Sequence, residues 1–108
     1  MTMNEYQEAT AKTAIYPRDK AREYVLMGLA NECGELLGVY KKVLRDQDGV
    51  LNPEAKQDFL AESGDILWYL SQVCSEFGLS LDVVATYNLN KLASRQARGV
   101  LGGSGNAR

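Results

Sequence analysis

Two long stretches of helix-periodic sequence are separated by one cluster of breakers, and this arrangement limits the fold more than any other feature. The breakers are Asp46-Gln47-Asp48-Gly49, a turn-forming run, and then Asn52-Pro53, an N-cap residue with proline at the first helical position. Upstream, Asp19 is placed to cap a long helix that reaches Leu44. Downstream, the pattern runs to Phe77, with Gly78 placed to end it in a left-handed conformation. Two long helices joined by so short a connection lie side by side and antiparallel. Shorter elements flank them. Thr2 and Glu5 form a capping-box pattern for a helix from Met3 to Thr13, stopped at Tyr16-Pro17. Ser80 caps a fourth helix that ends near Ala97, ahead of Gly99. The 25 leucines and alanines outnumber the 10 valines and isoleucines, and no run alternates long enough for a strand. The expected class is all-α: a helical bundle built on a long antiparallel helix hairpin. Residues 1–98 form the helical domain, and 99–108 a glycine-rich, irregular tail.

A chain of 108 residues makes one domain. No apolar run is long enough to span a bilayer, the N-terminal segment is polar, and there are only two cysteines. A cytoplasmic location with no membrane partner follows as the expectation. Cys33 and Cys74 read as small core fillers. The chain has no histidine. That excludes imidazole acid–base catalysis, histidine-dependent triads and imidazole metal sites. Any chemistry falls to carboxylates, lysine, arginine, tyrosine or a metal.

Charge is unevenly placed. After Asp82 the chain carries Lys91, Arg95, Arg98 and Arg108 and no acid, whereas residues 1–82 hold 8 basic against 14 acidic groups. An acidic body with a basic arm suits cation binding by one part and phosphate binding by the other; chance partition of surface charge gives the same pattern. Binding to a nucleic-acid polymer is not expected, because the net charge is −2 and no basic stripe exceeds Lys41-Lys42 with Arg45.

Four of the acids are patterned. Glu32 and Glu35 lie three apart in the second helix, as do Glu62 and Asp65 in the third. Each pair therefore shares one helix face. In both cross pairs, Glu35 with Glu62 and Glu32 with Asp65, the position numbers add to 97, so an antiparallel pairing about Asp48-Gly49 brings all four to one level. Glu32 sits among Val25, Leu29, Leu36, Val39 and Val43, and Glu62 among Phe59, Ile66, Tyr69 and Val73, within the apolar arcs. Glu35 and Asp65 fall at the arc edges. Clustered, partly buried carboxylates repel one another and need neutralising. An oxygen-only ligand set selects a hard cation, Mg²⁺ or Mn²⁺. Gly34 and Gly64, inside the two pairs, each cost about 1 kcal/mol in a helix, which close helix approach or ligand access would explain.

At these residues the chain resembles the MazG-like, all-α nucleoside triphosphate pyrophosphohydrolases. The family pattern is Glu-x-x-Glu followed, after a gap, by Glu-x-x-Asp; here the gap holds 26 residues. The likeness extends through Thr13-Ala14-Ile15-Tyr16-Pro17, Lys41-Lys42-Val43-Leu44-Arg45-Asp46, Asp65-Ile66-Leu67-Trp68-Tyr69-Leu70, Asn88-Leu89-Asn90-Lys91-Leu92 and the ending from Arg98-Gly99 to Asn106. Asn106 departs from it, since an acid is commoner there, and so do the larger residues of Asn31-Glu32-Cys33. The resemblance implies cleavage of the α–β phosphoanhydride of a nucleotide to a monophosphate and pyrophosphate. Glu32, Glu35, Glu62 and Asp65 would hold Mg²⁺, with Mn²⁺ as the substitute. Glu35, Glu62 and Lys91 would act on the reaction, one of the glutamates taking the proton of the attacking water. Asn88, Lys91, Arg95 and Arg98 would steady phosphates or sugar. It also implies a homo-oligomer, a dimer or a dimer of dimers.

Two features stay open. Trp68 falls on the polar side of its helix with Ser71, Gln72 and Ser75, as a base-stacking wall, a subunit contact or a partly covered surface residue. The glycine-rich tail either offers backbone N–H groups to phosphate or is simply irregular. Two other readings compete with the enzyme: a non-catalytic nucleotide-binding or helical interaction module, and a carboxylate-bridged redox metal protein, which would lack its histidines.

Overall fold

Local capping sets most of the element boundaries in the computed structural model, which describes residues 1–108. The elements are α1 (Met3–Thr10), a 3-10 turn (Ala11–Thr13), α2 (Ala21–Asp46), α3 (Pro53–Glu76) and α4 (Leu81–Ala97), with no strand. The Thr2 hydroxyl accepts from the Glu5 N–H at 3.0 Å, and the Glu5 carboxylate accepts from the Thr2 N–H at 2.8 Å, closing the capping box. Asn52 caps α3 by accepting from the Ala55 N–H at 2.8 Å. Ser80 caps α4 through the Val83 N–H. Gly78 and Gly99, both at φ +72°, turn the chain out of α3 and α4. Asp48 and Gly49, at φ +56° and +77°, make the turn between α2 and α3.

Asp19 does not cap α2. Lys20 stands at that position and makes no side-chain cap. The entry to α2 is instead tied to the end of α3. Arg18 grips the Glu76 carboxylate with two bonds of 2.6 and 2.8 Å, and the Tyr16 hydroxyl donates to the same group at 2.9 Å. The helix also runs past Leu44, to Asp46.

Helices α2 and α3 share the main packing surface. Gly28 meets Tyr69, and Tyr40 packs edge-on against Phe59 at 6.1 Å, so early residues of one helix face late residues of the other. Val25 and Val43 are buried on this side of α2, while Leu29, Glu32, Leu36 and Val39 between them are half-buried. Cys74 is buried, but Cys33 points away from α3 and is exposed, so only one of the two cysteines fills the core.

The polar side of α3 is covered, contrary to its appearance on a helical wheel. Ser71 and Gln72 are buried because α1 and the Tyr16 segment cross them with polar contacts: Thr10 Oγ1 to Ser71 Oγ at 3.2 Å, Gln7 to Ser75 Oγ at 3.0 Å, and Tyr16 to Gln72 Oε1 at 3.4 Å. Trp68 is accordingly half-buried, and its indole N–H donates to Thr13 Oγ1 at 2.8 Å.

Within the chain α4 packs on α1. Asn4 Oδ1 accepts from Ser80 Oγ and the Asp82 N–H, and Gln7 bonds both the Leu79 carbonyl and the Leu81 N–H. The remainder of α4 stands clear, so one chain does not close a four-helix bundle. The radius of gyration is 16.9 Å, against about 13 Å for a compact chain of this length. Only 11 of 108 residues are buried, and Leu37, Leu60, Val83, Tyr87 and Leu89 are all more than 60% exposed. No helix is long and apolar enough to cross a membrane.

Candidate metal centre

The close approach of α2 and α3 brings Glu32, Glu62 and Asp65 together. One carboxylate oxygen from each lies within 4.8 Å of the others. Glu32 and Glu62 are half-buried between apolar neighbours, and Asp65 stands at the open edge. Burial, and then the charges of Asp65 and Glu62, push the Glu32 carboxyl above the ordinary carboxylate range. The cluster is self-repelling as it stands. Oxygen donors grouped in this way suit a hard divalent cation, which Glu32, Glu62 and Asp65 would hold and which would remove the repulsion. Glu35 is exposed one turn along α2 and lies outside this group of three, although its charge still acts on Glu32.

Gly34 and Gly64 have no heavy atom within 4 Å of where a Cβ would stand, so helix approach within the chain does not account for them. The close approach is at Gly28. A Cβ there would fall 2.0 Å from Tyr69 Cε1. The missing side chain lets the Tyr69 ring lie against α2 beside the acids. Burial, the neighbouring Tyr24 hydroxyl and the charges of Glu32 and Asp65 push the Tyr69 phenol up. Tyr6 of α1 is raised by burial and by Asp65. Neither Gly28 nor Tyr6 stands out in the sequence, because the crossing of α1 over α3 leaves no periodic signature.

An aromatic cleft of about 320 Å³ is lined by Thr13, Tyr16, Tyr24, Trp68 and Tyr69. Tyr16 and Tyr24 stack at 5.3 Å, and Trp68 sits edge-on to Tyr69 at 5.0 Å. Tyr69 belongs to this cleft and also feels the acids, so the two features adjoin.

The α4 residues are elsewhere. Asn88 is exposed. Lys91 Nζ donates to Asn106 Oδ1 at 3.4 Å, and Arg98 donates to Ser94 Oγ and to the main-chain oxygen of Arg108. Arg95 is 4% exposed, with its guanidinium turned onto the tail. No hydrogen bond or ion pair joins any of them to the carboxylates of the same chain.

The chain is 44% identical, over the full length of both, to a protein of Mycobacterium phage L5 known as Gene 37 protein. No solved structure matches it. The family model described as the MazG nucleotide pyrophosphohydrolase domain matches residues 20–100, the span from the start of α2 to the end of α4 that includes all four patterned acids. The chain therefore belongs to the MazG nucleotide pyrophosphohydrolase family.

Proposed function

We propose that this protein is a Mg²⁺-dependent nucleoside triphosphate pyrophosphohydrolase that cleaves the α–β phosphoanhydride, releasing a monophosphate and pyrophosphate. The observation that carries the reading is the convergence of Glu32, Glu62 and Asp65 in a chain of the MazG family. These three residues hold the cation, with Glu35 at the rim, and Mn²⁺ serves in place of Mg²⁺. A divalent ion there supplies neutralisation of phosphate charge and activation of water. Glu35 is solvent-facing and outside the group of three, which suits it to take the proton of the attacking water; Glu62, half-buried within the group, is the other glutamate that could do so. Lys91, Arg95, Arg98 and Asn88 steady the phosphates, and Lys91 balances the charge that grows on the departing pyrophosphate. The aromatic cleft, Trp68 included, takes the base by stacking.

Because the α4 cations do not reach their own chain's acids, the working site is assembled by a homo-oligomer, a dimer or a dimer of dimers. The exposed apolar faces of α2, α3 and α4 support this assembly. The decisive experiment is a screen of nucleoside triphosphates with Mg²⁺ that resolves monophosphate plus pyrophosphate from diphosphate plus phosphate. Glu62→Gln should abolish release of pyrophosphate while leaving the helical circular dichroism intact. Unchanged turnover in that variant refutes the assignment.

A further inference from the structure

The tail from Val100 to Arg108 has no regular structure, yet it is folded back on α4 in a specific way. Gly99, Gly103 and Gly105, at φ +72°, +92° and +86°, allow the reversal. Arg108 then fills the loop. Its guanidinium donates to the carbonyls of Val100, Leu101, Gly102 and Gly105 at 2.7–3.2 Å. The outer side of the loop covers the α4 cations. Arg95 Nη2 alone serves three acceptors, Gly105 O at 3.4 Å, Asn106 O at 3.2 Å and Asn106 Oδ1 at 3.4 Å. Lys91 Nζ shares Asn106 Oδ1 at 3.4 Å, and Arg98 Nη2 takes the Arg108 oxygen at 2.7 Å.

The contacts to Lys91 and Arg95 match those cations poorly, whereas the 2.7 Å bond of Arg98 has an ordinary length. Charge-assisted bonds settle at about 2.7–2.9 Å, and a guanidinium is a planar fork suited to two oxygens of one anion. Here Arg95 loads one nitrogen three times, leaves Nε and Nη1 without a bond, and faces neutral oxygens. No side-chain carboxylate pairs with Lys91, Arg95 or Arg98. An almost fully buried guanidinium held this loosely occupies a place that an oxyanion fills better.

We propose that the tail is a displaceable strap: its carbonyl and amide oxygens stand in for phosphate oxygens on Lys91, Arg95 and Arg98, and an incoming polyphosphate displaces it. The proposal rests on the reading that these cations hold the phosphates. The strap occupies these cations until substrate arrives, and it sets a threshold that a monophosphate, with fewer oxygens to offer, crosses less readily than a triphosphate.

The test uses the whole chain and inorganic tripolyphosphate without divalent metal, so that the acid cluster takes no part. Saturating tripolyphosphate should lower the backbone order parameters of residues 101–107 and open the tail to limited proteolysis, whereas a tail that merely closes over its ligand would be ordered and protected. Gly103→Val with Gly105→Val forbids both left-handed turns and opens the loop without altering any charge. It should tighten tripolyphosphate binding about fivefold in all, because the bonds released are long. Asn106→Asp places a carboxylate between Lys91 and Arg95 and should weaken binding by up to about fivefold. Unchanged or weaker binding in the loop-opened variant, or protection of the tail by ligand, overturns the strap. Tripolyphosphate binding that is unaffected by both Lys91→Gln and Arg95→Gln overturns the phosphate reading itself. That result differs from one in which these variants weaken binding but the tail stays put.

Discussion

Gly28→Ala is the substitution that most directly tests how closely α2 and α3 approach beside the acid cluster. A methyl group at this position would fall 2.0, 2.4 and 2.5 Å from Cε1, Cζ and Cδ1 of Tyr69. Ordinary carbon contacts lie at about 3.5–4.0 Å, so the ring or the helix must retreat by about 1.5 Å. Overpacking of this kind costs about 1–3 kcal/mol, while alanine gains about 1 kcal/mol over glycine inside a helix. The net expectation is a loss of up to about 2 kcal/mol with Tyr69 present. With Tyr69→Ala in the background the obstacle is gone, and the same substitution should now stabilise by up to about 1 kcal/mol. The two effects differ by a coupling of about 1–3 kcal/mol and have opposite signs. Urea denaturation of the four proteins, followed by circular dichroism at one fixed chain concentration, measures it. Trp68 emission reports the folded state independently, since its ring sits 5.0 Å from that of Tyr69. A Gly28→Ala protein more stable than wild type while Tyr69 is intact would refute the close approach, and with it the geometry that joins the aromatic cleft to the carboxylates.

Three further outcomes are expected. Because the Glu32 carboxyl is raised in the folded chain, the metal-free protein binds that proton more tightly folded than unfolded. Stability should therefore rise as pH falls from neutrality toward the ordinary carboxylate range, until protonation of Glu76, whose carboxyl is held low by Arg18, reverses the trend. Thermal melts against pH would show a maximum on the acid side of neutrality, and Glu32→Gln should flatten the rise. Mg²⁺ at ten times its dissociation constant should stabilise the chain by about 1.4 kcal/mol at neutral pH; calorimetry should find this increment lost in Asp65→Asn. Trp68→Phe removes the bond to Thr13 Oγ1 and should cost about 1 kcal/mol in chemical denaturation, with no loss if that contact is idle.

Much of this architecture is legible in the sequence because it is local. Thr2 with Glu5, Asn52 with Pro53, Ser80, Gly78 and Gly99 each act within a few residues, and each ends or begins a helix where its chemistry says it should. The patterned acids are legible for a related reason: an interval of three fixes a shared face whatever the tertiary structure does. What escapes is whatever depends on distance between elements. Asp19 has the right chemistry for a cap, but the Arg18 and Tyr16 grip on Glu76 decides where α2 begins. Ser71, Gln72 and Ser75 read as a solvent face because apolar periodicity does not register polar packing, yet α1 and Tyr16 meet them with hydroxyl and amide contacts that bury Ser71 and Gln72. A helical wheel gives an angle and not an interaxial spacing, so Gly34 and Gly64 attract notice while the ring against Gly28 passes unseen. The α4 cations are recognisable as a group, but nothing in their spacing tells that the tail lies across them.

The attachment of α4 has a mechanical side. The helix is held at one end, where Asn4 and Gln7 of α1 grip Ser80, Leu81 and Asp82, and its other end carries Lys91, Arg95 and Arg98. Seventeen residues make a rod about 25 Å long. A swing of about 10° at that bracket moves the far tip by about 4 Å on this rod length, more than the length of a hydrogen bond. Two short amide side chains on an eight-residue helix thus act as the pivot of a lever, and the aim of three distant cations is set at a joint where no charge is engaged.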